Sequence, residues 1–319
     1  MNRKIMFRNK TGKYIALAAA AVLLICAACG CGRVQFTLQA DSKTLLIVED
    51  EECTIAEGVF RLMEVKDQYY DGSDELFWER SVGDSTMEEY VKDSVEEEMI
   101  RITSSVIMAD KLAVTLTEDE VEELTEAAEK SYNTLAESHD LDLYGITLET
   151  AISLYTKQAI YDKVYDELSA DIETQISESD TKVIEVNYVE IPLETSSDDA
   201  EALRTAVKNG TDFEEACSEY GLEAMMDQVL SKGSMPDEFE SVAYALVDGE
   251  LSEIVETDEC YYLIQCVEDY LISESVANNN QVIADARQEA FNEAYTEFSS
   301  DAVLQFNEEA WEEISIQEI

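Results

Sequence analysis

The sequence predicts an α+β protein: a mainly helical region built from both ends of the chain, interrupted by a compact β-α-α-α-β insertion. Three observations carry this. Between about residues 54 and 170, apolar residues recur at helical spacing behind helix-start signals. From Lys182 the texture changes to a β-branched run that stops at Pro192, the mark of a strand. From Ser275 the helical spacing returns, and an amphipathic helix needs a partner for its apolar stripe. With 46% hydrophobic residues in 319, the chain can bury a sizeable core, while 11 Gly and 2 Pro argue against a many-turned β-sandwich.

The chain opens with five cations (Arg3, Lys4, Arg8, Lys10, Lys13) and no acid, followed by an apolar run from Ile15 to Ala28. That is the length of a signal-peptide core and short of the ~20 residues a membrane span needs. Small residues then precede cysteine in Ala27-Ala28-Cys29-Gly30-Cys31, which resembles a bacterial lipobox. Cys29 is the first candidate for lipidation and Cys31 the alternative; the usual Leu three residues earlier is replaced by Cys26 or Ala28. The expectation is an exported protein, lipid-anchored to the extracytoplasmic face of the cell membrane.

Leu45–Val48 and the region around Cys53 read as two short strands. Thr54-Ile-Ala-Glu57, Ser85-Thr-Met-Glu88 and Thr117-Glu-Asp-Glu120 fit capping boxes. Val91, Val95, Met99, Ile102 and Val106 form one helical stripe, and Val121, Leu124, Ala128, Tyr132 and Leu135 another. A further helix is expected from near Leu148 to Leu168, and the acidic runs at Glu96–Glu98 and Glu122–Glu123 as solvated faces. In the insertion, Val183–Ile191 is a strand. A helix runs from near Asp198 to Lys208, a capping box at Thr211-Asp-Phe-Glu214 opens the next, and a loop at Gly221–Asp227 follows. Gly233–Glu240 leads to a short helix ending near Leu246, and Tyr261–Cys266 is the last strand. In the tail, Ile283, Ala286, Ala290, Ala294 and Phe298 keep helical spacing, with Asn278–Asn280 near the helix start. Ala302–Phe306 reads as a strand and Trp311 belongs to a last short helix. The expected segments are a signal peptide (1–28), an N-terminal helical region (29–180), the insertion (181–270) and the returning C-terminal helix (271–319).

Several function classes are excluded. With 72 Asp and Glu against 21 Lys and Arg, the net charge of −51 has the wrong sign for nucleic acid. Without the five leader cations, 16 Lys and Arg face the same 72 acids, a net charge near −56. Such a body is repelled by an anionic bilayer. The lone His139 excludes His-rich zinc sites, and no calcium-loop motif is present. No metal and no cofactor are expected. Cys53, Cys217, Cys260 and Cys266 read as buried free thiols, with the pairing of Cys260 and Cys266 open.

Four segments occur in a telling order: Gly210-Thr-Asp-Phe-Glu-Glu-Ala216, Lys232-Gly-Ser-Met-Pro-Asp-Glu-Phe-Glu240, Ala245-Leu-Val-Asp-Gly-Glu-Leu-Ser252 and Glu256-Thr-Asp258. Together they resemble a parvulin-type peptidyl-prolyl isomerase domain. The whole layout is similar to SurA/PrsA-type extracytoplasmic foldases, in which both flanks of the parvulin domain form one chaperone lobe. The resemblance implies unfolded or partly folded exported polypeptides as partners, and leaves a homodimer possible. It also implies a proline pocket at Leu230, Met235 and Phe239. The two positions where parvulins place histidines hold Tyr188 and Tyr262, and Glu223 is the nearest acid in a shortened loop. Weak or lost isomerase activity is therefore expected. A solute-binding lipoprotein is the alternative; it needs strand–helix alternation that the first half lacks.

Overall fold

The computed structural model describes residues 43–319 apart from 71 and 75; the leader, Cys29 and Cys31 lie outside the described residues. The chain divides into two compact units, one holding the described part of Met1–Leu168 with Phe291–Ile319, the other Ser169–Ala290.

The first unit begins with β1 (Thr44–Val48) and β2 (Glu51–Thr54) and continues into α1 (Ile55–Tyr69). A hairpin of β3 (Ser81–Val82) and β4 (Ser85–Thr86) leads to α2 (Met87–Leu112), followed by α3 (Glu118–Leu135) and α4 (Leu148–Ser169). The C-terminal segment closes it. In the order β2-β1-β9, the tail strand β9 (Leu304–Phe306) pairs antiparallel with β1, Leu46 opposite Phe306 and Val48 opposite Leu304. Trp311, on the last short helix (Glu308–Glu312), shares a core with Leu45, Phe60, Leu62, Met99 and Leu154. The two chain ends therefore build one hydrophobic core.

Gly58 of α1 marks how closely they approach. A Cβ there would lie 2.6 Å from Leu45 Cδ2 and 3.2 Å from the Trp311 ring. Capping boxes form at Thr54/Glu57 and Thr117/Glu120 as expected, but α2 is capped by Thr86 and Glu89, one residue beyond the expected pair. Ser85 and Thr86 both pair in the β3–β4 hairpin, opposite Val82 and Ser81, and α2 starts directly after Thr86. The acidic run on α2 is only partly a solvated face, since Glu98 pairs with Arg61 at 2.9 Å. At the buried start of α1, Glu57 accepts from Lys157 Nζ at 2.9 Å and from Ser153 Oγ at 2.8 Å, which ties α1 to α4. Burial pushes the Glu57 carboxyl up, but Lys157 and the Thr54 amide outweigh it and hold the group below the usual carboxylate range.

The second unit opens with short helices α5 (Ile172–Gln175) and α6 (Glu178–Thr181). It holds a four-stranded antiparallel sheet, β6-β5-β8-β7: β5 (Val183–Pro192), β6 (Ala224–Ser231), β7 (Val255–Glu256) and β8 (Cys260–Glu268). Helices α7 (Ser197–Lys208) and α8 (Phe213–Glu219) cover one face, packing Leu203 and Phe213 on Val189, Ile191 and Leu263. Helix α9 (Asp237–Ala243) covers the other, over Ile184, Val186 and Ile264. This alternation along β5 is the period-2 rule of a strand buried on both faces.

Three expectations are corrected here. Strand β6 occupies most of the stretch read as a loop. The cap of α8 is Asp212, which accepts from the Glu214 and Glu215 amides, rather than Thr211; a carboxylate suits the positive helix start better. Helix α10 (Ile272–Asp301) starts before the Asn run. Within the helix, Asn278 donates to the Thr181 carbonyl and Asn279 accepts from Thr181 Oγ1. Cys260 and Cys266 stand six residues apart on one strand, roughly 20 Å, so they cannot pair; all four described cysteines are free.

Candidate functional site

The site grows from the face of β5 that carries Ile184, Val186 and Tyr188. Gly233, at φ +86°, turns the chain after β6, and Glu240 Oε1 accepts from the Met235 amide, fixing the entry to α9. The helix then drops Phe239 onto the sheet, where it is fully buried. Tyr188 meets the Phe239 ring edge-on at 5.3 Å, Tyr262 meets it edge-on at 5.0 Å, and the two tyrosine rings lie 6.0 Å apart. Such edge-to-face pairs add roughly 0.5–1.5 kcal/mol each beyond area burial. Tyr262 is 5% exposed, while Tyr188, Leu230 and Met235 are half-buried against the same cluster.

The structure therefore gathers five of the six residues singled out from the sequence. Glu223 does not join them; it is exposed just before β6 and is not packed on the Phe239 cluster. Burial pushes both phenols up, with the Cys260 thiol adding to the effect at Tyr262 and the Glu190 carboxylate at Tyr188. Both stay protonated at neutral pH, able to donate a hydrogen bond but not to act as bases.

Two rim residues were missed by sequence reasoning. A bulge sets Val186 opposite Gln228 but Tyr188 opposite Met225, leaving Met226 and Asp227 facing Asn187. Asp227 takes φ +52°, its amide donates to Asn187 Oδ1 at 2.8 Å, and Asn187 Nδ2 donates to Gln265 Oε1 at 3.1 Å. The bulge puts Met225, 38% exposed, on the same face as Tyr188. Glu190, two residues along β5 from Tyr188, is exposed on that face, directly opposite Tyr262. The available signals were the Met225-Met226 pair inside a supposed loop and the period-2 relation of Glu190 to Tyr188.

Several motif residues that carried the resemblance have structural jobs. Gly249, at φ +77°, donates its amide to Cys266 O, and Glu250 Oε2 accepts from the Val247 amide. Ser252 pairs with Ile264 through its own amide and through Oγ, which accepts the Ile264 amide at 3.0 Å. Thr257 Oγ1 organises the turn into β8, donating to Cys260 O. These residues extend and brace the sheet at β8.

This architecture is that of a parvulin-type rotamase domain, and residues 190–268 match the family model described as Rotamase, the PPIC-type PPIASE domain. The similarity extends along the chain. The foldase protein PrsA of Oceanobacillus iheyensis is 24% identical over 265 residues, covering 76% of this chain and 87% of the relative. The foldase protein PrsA of Caldanaerobacter subterraneus is 25% identical over 266 residues, covering 81% and 82%. Among solved structures, the peptidylprolyl isomerase (PrsA) of Bacillus cereus superposes with a TM-score of 0.31 at 20% identity, covering 67% of this chain and 81% of that one. The chain is thus similar to PrsA foldases over most of its length, with a PPIC-type rotamase domain in its middle.

Proposed function

We propose that this protein is a lipid-anchored, extracytoplasmic foldase that receives unfolded or partly folded exported polypeptides, with its isomerase activity weak or lost. The observation that carries the second clause is the burial of Phe239 beneath Tyr188 and Tyr262. Rotation about an X-Pro bond faces a barrier of ~18–20 kcal/mol, which a catalyst lowers by holding the twisted amide better than the planar one. That grip needs an apolar slot open to the pyrrolidine ring. Here tyrosines, larger than the imidazoles the resemblance implies, fill the space and remove Phe239 from reach. The aligned positions Tyr188 and Tyr262 are then core aromatics, and Leu230 and Met235 are their packing partners.

The foldase reading rests on the PrsA-like layout and on the chain's charge. A body near −56 without its leader keeps itself in solution and attracts cationic segments of its clients. Lipidation at Cys29, with Cys31 as the alternative, would hold it at the membrane by two or more acyl chains; a homodimer is compatible with this reading. No helix among the described residues is long and apolar enough to cross a membrane. The test is light scattering from a reduced, unfolded client at low and high salt. Suppressed aggregation at low salt that fades at high salt supports the reading. No effect at any salt contradicts it.

A further inference from the structure

We infer that the rim above the sealed aromatic cluster is a binding surface for extended client segments that alternate basic and apolar residues, with Glu190 selecting the charge. This rests on the filled-slot reading above, because a client that cannot insert a proline still meets Tyr188, Met225 and Glu190. The register puts the three on one face: Met225 is opposite Tyr188, and Glu190 is two residues along the same strand. Met225 is 38% exposed, Tyr188 is half-buried and Glu190 is exposed, so aromatic, thioether and carboxylate groups are all presented together. Strand β6, which carries Met225, is an edge of the sheet, so an extended segment can lie alongside it.

The charges around the rim have one sign. Among the described residues, no cation lies in ion-pair range of Glu190. Glu223 is exposed one residue before Ala224, the partner of Val189 in the ladder, so a second carboxylate lies toward the same end. Two cations, Lys182 just before β5 and Lys232 just past β6, lie at the Val183–Ser231 end of the ladder, away from Glu190; Lys232 pairs with Asp180 and lies over the Tyr244 ring. A lysine or arginine in the client finds an unneutralised carboxylate beside an apolar shelf; an acidic segment is repelled.

The experiment is fluorescence anisotropy of the full-length, detergent-solubilised protein with a labelled peptide alternating lysine and leucine around one X-Pro bond. Two relatives carry glutamate for lysine or alanine for proline. The lysine peptide is expected to bind several-fold tighter than the glutamate peptide, with the alanine relative within about twofold. Glu190→Gln is expected to weaken the lysine peptide about two- to fivefold, within the worth of one exposed ion pair, and to leave the glutamate peptide no weaker. Glu219→Gln, on α8 at the opposite face, is expected to change little. Equal losses from Glu190→Gln and Glu219→Gln, no loss from either, or no binding of the lysine peptide would overturn the inference. A proline dependence above tenfold would instead overturn the filled-slot reading on which it rests.

Discussion

Truncation of Phe239 separates a plugged core from a working slot. The side chain is fully buried and touches two aromatic edges at 5.0 and 5.3 Å. Phe239→Ala therefore loses the transfer free energy of a whole ring and leaves a cavity, a cost of about 3–5 kcal/mol. A phenylalanine lining an open slot already exposes much of its ring and would lose far less. The two tryptophans, Trp78 and Trp311, both belong to the first unit, so tryptophan fluorescence reports that unit alone. The second unit is followed by hydrogen exchange of the β5 and β8 amides. A loss of about 3–5 kcal/mol accelerates their exchange by roughly a hundred- to several-thousand-fold if they open with the domain, while the tryptophan transition stays in place. An acceleration under about tenfold would refute the claim that Phe239 is walled in.

Other outcomes follow from the first unit and the leader. Lys157→Met strands the buried Glu57 and is expected to cost about 3–5 kcal/mol by tryptophan-monitored denaturation, whereas adding Glu57→Gln recovers most of the loss. Because Glu57 titrates below its ordinary range, its stabilisation is present above the unfolded carboxylate pKa of ~4.3 and is lost as pH falls through the lower folded value. The Glu57→Gln protein should accordingly show a flatter acid-unfolding profile in the same assay. Gly58→Ala forces a Cβ against Leu45 and Trp311 and is expected to lower stability by about 1–3 kcal/mol, with the tryptophan emission altered. Intact mass of membrane-extracted protein is expected to show an N-terminus at a diacylated Cys29, abolished by Cys29→Ser and retained in Cys31→Ser; an unprocessed Met1 would contradict export as a lipoprotein.

Much of the fold was legible because its signals are local. Period-3.6 stripes, capping boxes and the β-branched run ending at Pro192 each depend on a few neighbouring residues, and Phe306 and Trp311 were visibly apolar residues in search of a core. Where reading failed, two local options were close in energy and distant partners decided. Ser85 and Thr86 can both cap, and the two-residue pairing of the β3–β4 hairpin, which runs through Thr86, sets where α2 begins. Ala224–Ser231 carries an acid, two methionines and a glutamine, weak strand formers by composition, and becomes a strand because β5 supplies its ladder. The same holds for the site. Tyr188, Tyr262 and Phe239 were found from motif positions, but their mutual packing is non-local, and the bulge that aims Met225 depends on Asn187, 38 residues earlier in the chain.

The central claim is a rotamase scaffold whose proline slot is filled, so its most direct test is a protease-coupled assay of cis–trans isomerisation in an Xaa-Pro tetrapeptide. The account expects a wild-type rate at or slightly above the uncatalysed one. Robust catalysis by the wild type would mean that client prolines still enter a working slot, and would contradict it.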